Sequence, residues 1–262
     1  MKAIVTGSSG FLGKYLTAKL DNPTTINHFK LPSAKIPNFE YFYFLSTYGN
    51  MYFHDNDSQI VNANVSDLIK VLDQIDFNKQ QFKSFVFMST SSVRLKRQTM
   101  YSRTKKAAEE ILLSYMEKYD APICIIRPFS ITGVGEQREH LIPTLIRSCM
   151  TGEKVNFTPK PVHDFIDVED VVSGVLNLSQ HSAKGIFELG AGVSYSNQQV
   201  LDIVQEVTGK KANINIVDRL RDYDNQEWLS NNYRARMYGW LAKKDLKQSV
   251  TEMVEEYKKN VE

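Results

Sequence analysis

The start of the chain constrains its fold more than any other stretch. A short apolar run, Lys2-Ala3-Ile4-Val5-Thr6, breaks into glycine, and the glycines recur at Gly7, Gly10 and Gly13. An apolar run of this length ending at glycine reads as a buried strand. From Phe11 to Leu20 apolar residues return at helical spacing, at Phe11, Leu12, Tyr15, Leu16 and Leu20. Strand, glycine turn and helix together open a βαβ unit. At such a junction each glycine has a task. Gly7 permits the tight turn, Gly10 lets a pyrophosphate approach the backbone, and Gly13 allows helix to pack closely on strand. The helix N-terminus then presents free N–H groups and the positive end of its dipole to phosphates. Gly7, Gly10, Phe11, Leu12 and Gly13 are therefore candidate dinucleotide-binding residues; the plainer alternative is a turn with a structural role only.

The alternation continues downstream. Ile26 to Leu31 reads as a weak second strand, Tyr41 to Leu45 as an aromatic strand, and Val65 to Ile75 as a helix. Ser84 to Met88 is a strand, Tyr101 to Tyr119 a helix and Pro122 to Ile126 a strand. Apolar strands alternating with amphipathic helices predict an α/β fold, a Rossmann-type doubly wound parallel sheet, over residues 1–130. After Pro128 the pattern loosens. Helices are expected at Leu141 to Met150, Val168 to Leu178, Ser196 to Thr208 behind a serine cap, and Glu252 to Asn260, with a short strand at Ile186 to Leu189. Residues 131–262 read mainly as a smaller, substrate-binding lobe over the carboxyl edge of the sheet, with some elements packing back on it.

Composition narrows the partners. Among 262 residues, 32 lysines and arginines face 30 acids, a formal charge of +2. That balance is too even for a protein whose affinity comes from neutralising phosphates, so nucleic acid is not the expected partner. Cys124 and Cys149 have no paired spacing, which argues against a disulfide framework or a cysteine zinc site. Cys124 lies in the run Ile123-Cys124-Ile125-Ile126 and is expected as a buried thiol. His54, His140 and His181 lack metal-ligand spacing, and no metal site is expected. No run approaches the ~18 apolar residues of a membrane span, and the N-terminal apolar run is too short for a signal peptide. A cytoplasmic protein is the expectation.

Met100-Tyr101-Ser102-Arg103-Thr104-Lys105 carries the chemistry. Four residues are one helical turn, so Tyr101 and Lys105 share a face. A phenol with a pKa near ~10 is a poor base at neutral pH. A neighbouring ammonium, helped by the positive ring of an oxidised nicotinamide, favours the phenolate and draws that value down. Tyr101 then exchanges a proton with a hydroxyl or carbonyl while hydride moves at the same carbon. Upstream, Phe85-Val86-Phe87-Met88 runs into Ser89-Thr90-Ser91-Ser92, and strand ends of this kind face a cofactor crevice. Thr90 or Ser91 is placed to hydrogen-bond the reacting oxygen; the alternative is a turn that only caps the strand. His28-Phe29-Lys30-Leu31 contains no acid to hold an adenosine ribose, and Lys30 or Lys35 is a candidate for a 2′-phosphate, which favours NADP over NAD. The alternative for either lysine is a solvated surface position.

Taken together, these stretches resemble the extended short-chain dehydrogenase/reductase family of nucleotide-sugar epimerases, dehydratases and reductases. The resemblance runs through Thr6 to Gly13, Asn64-Val65, Ser89-Thr90-Ser91, Tyr101 to Lys105, Arg127-Pro128-Phe129, Asp164 to Asp170 and Gly239-Trp240-Leu241. It implies Thr90, Tyr101 and Lys105 at the catalytic positions, and Leu45 and Pro128 beside the adenosine and nicotinamide halves of the cofactor. Ser130 and His163 stand where the family places substrate-contacting asparagine and arginine. The resemblance also implies a nucleotide-sugar substrate and a homodimer. The segment between the second strand and Tyr41 is much shorter than is usual, as though a strand–helix unit were missing. Ser91 and Ser92 replace the acid pair of 4,6-dehydratases, which argues against dehydration. The activity expected is hydride transfer at a 4-keto centre with Tyr101 as proton donor or acceptor. The alternatives are a 4-epimerase that retains NAD, and a non-catalytic NAD(P)-binding or sensor module.

Overall fold

The first strand, β1 (Ala3–Thr6), is buried along its whole length, as a strand covered on both faces should be. The computed structural model describes residues 2–27, 30–51, 53–218 and 228–260. After β1 come α1 (Phe11–Ala18), β2 (Thr24–Ile26) and β3 (Tyr41–Phe44). Helices α2 (Asp57–Val61) and α3 (Asp67–Leu72) follow, joined by a π-helical turn over Asn62–Ser66. The next elements are β4 (Ser84–Met88), α4 (Met100–Tyr119), β5 (Ile123–Pro128), β6 (Ser130–Thr132) and α5 (Leu141–Thr151). They are succeeded by β7 (Lys154–Phe157), β8 (Val162–Asp167), α6 (Val168–Gln180), β9 (Gly185–Leu189) and β10 (Ser194–Ser196). The chain closes with α7 (Asn197–Thr208), β11 (Asn213–Ile216), α8 (Tyr233–Arg236) and α9 (Leu246–Lys259).

These residues form two compact units. The first comprises Met1–Pro128, Val172–Glu188 and Arg234–Trp240; the second comprises Phe129–Val171, Leu189–Tyr233 and Leu241–Glu262. The first is built on a six-stranded sheet in the order β2-β1-β3-β4-β5-β9. Strands β1 to β5 pair in parallel throughout. It is a Rossmann-type sheet flanked by helices, as the alternating pattern predicts. On one face Phe42 stacks on Phe85 at 5.0 Å and Phe44 lies 5.9 Å from Phe87, each pair directly opposite in register. These rings join Leu68, Val71, Ala108 and Leu112 of α3 and α4 in one core. On the other face the Tyr43 hydroxyl meets Ser179 Oγ of α6 at 3.0 Å. Cys124 is fully buried, as expected, and burial pushes its thiol well above the usual range.

The second strand departs from the sequence reading. It occupies Thr24–Ile26 and stops at Asn27 instead of running from Ile26 to Leu31. Asn27 closes a turn: its carbonyl accepts from the N–H groups of Lys30 and Leu31 at 3.1 and 3.0 Å, and its Oδ1 accepts from Lys30 N–H at 3.0 Å. Local hydrogen bonding of an asparagine has displaced strand pairing. His28 and Phe29 lie outside the described residues. The usual order of such sheets carries a strand outside β2, and none is present among the described residues. The short link instead sends Leu31 and Phe39 into the core beside Ile26.

The second unit packs α5, α7 and α9 around Ile146, Phe157, Val200, Val204, Val250 and Val254. It has two small sheets, β10-β8-β6 and β11-β7. Helix α7 starts at a capping box between Ser196 and Gln199, as its serine cap predicts. Helix α9 starts six residues before the expected Glu252, because Asp245 and Gln248 form a second capping box. Among the described residues no helix is long and apolar enough to cross a membrane, and no cluster of three metal-ligating side chains occurs.

Candidate active site

Parallel pairing aligns the carboxyl ends of neighbouring strands. Thr6 lies opposite Phe44, and Phe44 opposite Phe87. The glycine turn after β1, the loop after β3 and the hydroxyl cluster after β4 therefore emerge side by side at one edge of the sheet. At the glycine turn the backbone has no room for side chains. A Cβ on Gly13 would sit 2.1 Å from Gly7 O, and one on Gly7, whose φ is +71°, would sit 2.8 Å from Ser46 N. Gly10 stands at the N-cap of α1 without a side-chain cap, and the first turn holds no acid. Its leading N–H groups have no partner within the helix, a cradle suited to a pyrophosphate. Phe11 and Leu12 lie in this first turn, where Phe11 meets Tyr15 edge-on at 5.9 Å. Thr6 Oγ1 accepts from Leu45 N–H and Ser46 N–H at 3.1 and 3.2 Å, which draws the Leu45 backbone against Gly7.

Helix α4 begins at a threonine cap, Thr99 Oγ1 accepting from Ser102 N–H at 3.3 Å. Tyr101, the second residue of the helix, is half-buried, and Lys105, one turn further on, has no exposed surface. The Lys105 ammonium donates to Met88 O at 2.7 Å and lies 4.6 Å from the centre of the Phe87 ring. Thr90 is extended and caps a short 3-10 turn over Ser91–Arg94. Its hydroxyl accepts from Ser92 N–H at 3.2 Å and meets Ser92 Oγ at 3.0 Å. Ser91 is buried in that turn. The Tyr101 phenol is kept above its usual pKa by burial, against which the hydroxyls of Thr47 and Thr90 act. Lys105 is pushed down to about 7 by burial, with Glu109 opposing. The expectation that the ammonium lowers the phenol is thus not met in the bare protein. The ammonium has lost its water and is directed at a carbonyl, and burial weighs on the phenol more than any charge.

Three further residues meet this site: Thr47 and Glu109, which the sequence reading did not single out, and Asn64, which it names only within the Asn64-Val65 stretch and without a role. Thr47 follows β3 and bears on the phenol. Asn64, fully buried in the π-helical turn, accepts from Thr47 Oγ1 and Tyr48 N–H at 2.9 and 3.1 Å. Its amide donates to Tyr48 O and Thr104 Oγ1 at 2.9 and 3.0 Å, and Thr104 Oγ1 donates to Tyr101 O at 2.9 Å. All four hydrogen-bonding positions of the amide are used, so it fastens the loop after β3 to the first turn of α4. Glu109, one turn beyond Lys105, is wholly buried and paired with Arg127. Its signal was available: a third polar residue at spacing four after Tyr101 and Lys105, on a face that is otherwise core.

Of the remaining candidates, Pro128 ends β5 and is buried, and Lys30 is exposed just after the Asn27 turn. Asn27 stands at the end of β2, so that strand end carries no carboxylate. Ser130 and His163 belong to the second unit. Ser130 opens β6 opposite Phe165, and His163 is buried on β8 with its ring 5.4 Å from Trp228. The histidines expected to be structural have local partners. His54 Nδ1 accepts from Gly49 N–H at 3.2 Å, His140 meets Glu136 at 2.9 Å, and His181 meets Asn177 O at 2.8 Å.

A sequence profile described as the NAD dependent epimerase/dehydratase family matches residues 49–190. The chain belongs to that family. It is 28% identical over 144 residues to the low-salt glycan biosynthesis protein Agl12 of Haloferax volcanii. That alignment covers 53% of the chain and 46% of the relative, so the chain spans about half the length of this curated protein. Solved structures of the same fold cover the chain more fully. MoeE5 in complex with UDP-glucose and NAD superposes with a TM-score of 0.89 at 21% identity, covering all of both chains. RMD from Pseudomonas aeruginosa complexed with NADPH superposes at 0.82 with 17% identity, covering 99% of this chain and 100% of that one.

Proposed function

We propose that this chain is an NAD(P)-dependent oxidoreductase that reduces a 4-keto group of a nucleotide-activated sugar, with Tyr101 as proton donor. The observation that carries the reading is the meeting of the glycine cradle, Thr90, Tyr101 and Lys105 at one edge of the sheet. The cradle would hold the pyrophosphate through the N–H groups of Phe11, Leu12 and Gly13. Leu45 and Pro128 would flank the two ends of the dinucleotide. A reduced nicotinamide, once bound, supplies the hydride taken up by the keto carbon. Tyr101 gives its Oη proton to the keto oxygen, so that a C=O becomes a CH–OH and the phenol becomes a phenolate. Thr90 Oγ orients the oxygen by a hydrogen bond, with Ser91 beside it. Lys105 as an ammonium stabilises the phenolate, and solvent returns the proton.

The direction of the reaction is supported by electrostatics. Burial holds the Tyr101 phenol above a pKa that already leaves it protonated at neutral pH, the state an acid needs before reduction. NADP as the preferred cofactor is supported by Asn27 at the end of β2 and Lys30 just beyond it. A second reading, a 4-epimerase with retained NAD, is favoured by the similarity to MoeE5, solved in complex with UDP-glucose and NAD. In either case Ser130 and His163 are the residues proposed to contact the sugar nucleotide.

The test is to mix the chain with NADPH or NADH and a panel of 4-keto nucleotide sugars while following nicotinamide absorbance. Tyr101→Phe should cut turnover by roughly 10²–10⁴-fold while leaving the NADPH dissociation constant within about twofold. Turnover that survives this change overturns the mechanism. Tightly bound NAD co-purifying with the chain would move the reading to epimerisation.

A further inference from the structure

Glu109 has a placement that the proposed chemistry does not yet explain. It lies one helical turn after Lys105 on α4, has no exposed surface, and gathers three hydrogen bonds. Ser89 Oγ donates to Oε1 at 2.6 Å, Arg127 Nε donates to Oε1 at 2.8 Å, and Arg127 Nη2 donates to Oε2 at 2.6 Å. A carboxylate taken so far from water is costly unless paired and hydrogen-bonded. Here the pairing comes from the strand ends that also carry Met88 and Pro128. Lys105 is equally dry, yet its ammonium donates to a neutral carbonyl and lies against an aromatic ring. The helix therefore sets a fixed negative charge four residues from a buried ammonium whose own hydrogen bond is uncharged.

Resting on the reading of Tyr101 and Lys105 as the catalytic pair, we propose that Glu109 is a positioning residue. Clamped by Ser89 and Arg127, it supplies the charge that keeps Lys105 an ammonium and so sets the pH range in which Lys105 can stabilise the Tyr101 phenolate. The groups around Lys105 are consistent with this. On α4 these are Tyr101 and Glu109; from β4 they are the Met88 carbonyl, Ser89 and the Phe87 ring. From β5 comes Arg127, bound to Glu109 and also influenced by Glu188 and Glu110. Lys106 is held mainly by Glu110 at 2.8 Å and stands 3.5 Å from Glu109. Arg94 pairs with Glu188 at 2.9 Å. Of these, Glu109 is the charge that opposes the effect of burial on Lys105.

The experiment uses the whole chain without cofactor, labelled with ¹³C at the lysine ε-carbon, with the Lys105 signal assigned by its loss in Lys105→Arg. Its titration midpoint is followed in the unmutated chain and in Glu109→Gln. The expected result is a midpoint at least about one unit lower in Glu109→Gln. Turnover should then fall away at a correspondingly lower pH on the alkaline side. Should Glu109→Gln fail to fold because Arg127 is left unpaired, Glu109→Met with Arg127→Met removes both charges and should lower the midpoint in the same direction by a smaller amount. A midpoint unmoved in the folded variants overturns the proposal. The two readings fail separately. A shifted midpoint with no turnover of any keto sugar sinks the proposed reaction, and turnover with an unmoved midpoint sinks the role of Glu109.

Discussion

Lysine carries a strongly hydrated ammonium, and at position 105 it is stripped of all its water. Its folded pKa of about 7 lies well below the unfolded value near 10.5. Between those values the unfolded chain binds the extra proton, so stability contributed at this site rises with pH from about 7 upward. Below pH 7 the full cost of the buried charge is present. Lys105→Met removes that cost and should stabilise the fold at neutral pH by several kcal/mol while abolishing turnover. Denaturant unfolding of both proteins from pH 6 to 9 checks this, and the advantage of the variant should shrink as pH rises. An equal advantage at every pH would contradict it. Gly13→Ala should be damaging for a different reason: its Cβ would collide with Gly7 O at 2.1 Å, and the obstacle is backbone. Loss of measurable dinucleotide binding together with a lower Tm is the expected outcome. The glycines, Tyr101 and Lys105 are legible from sequence because their meaning depends on spacing within one turn. Thr47 is not, and Asn64 is legible only as part of the Asn64-Val65 stretch and not in its role, since the atoms they hold lie 16 to 54 positions away and only pairing of β3 with β4 brings them together.

At the scale of elements, the π-helical turn around Asn64 is the joint that matters most. A widened turn places that amide where it reaches both the loop after β3 and α4, and such turns often occur at functional positions. Asn64→Leu leaves the Tyr48 N–H and carbonyl without their partner and should cost on the order of 2–3 kcal/mol. Thermal melts read the loss, and turnover should fall further than stability explains because Thr47 is released from its place beside Tyr101. Retained turnover in the folded variant would argue against that placement. Elements with local signals were readable: α7 announces itself by Ser196, and the aromatic β3 by four consecutive rings. Those set by distant partners were not. Strand β8 pairs with β6 and β10 and is buried almost throughout without alternation, and strand β7, which pairs with β11, alternates over only four residues. The second strand was misplaced because its apolar residues at Ile26 and Leu31 are both buried, but on either side of a turn that Asn27 closes.

For the whole molecule, the parallel sheet and its helices follow from alternation alone, whereas the small sheets of the second unit required coordinates. The shortened link after β2 was visible as a gap in length, and its outcome is a sheet whose outermost described strand is three residues long. Binding of a dinucleotide to the folded chain must raise its stability by mass action, about 2.7 kcal/mol at a hundredfold excess over the dissociation constant. With NADPH and NADH at equal concentration, NADPH should give the larger rise in Tm, and Lys30→Glu should narrow the difference. An equal or reversed response would assign the chain to NAD.

Phe87 belongs to two neighbourhoods at once. One side of its ring completes the aromatic interior of the sheet, and the Lys105 ammonium rests 4.6 Å from its centre. Repacking the hydrophobic interior at this strand would accordingly register as a kinetic lesion before it registered as unfolding. Mutational tolerance along β4 should therefore be graded by distance from that ring instead of by burial.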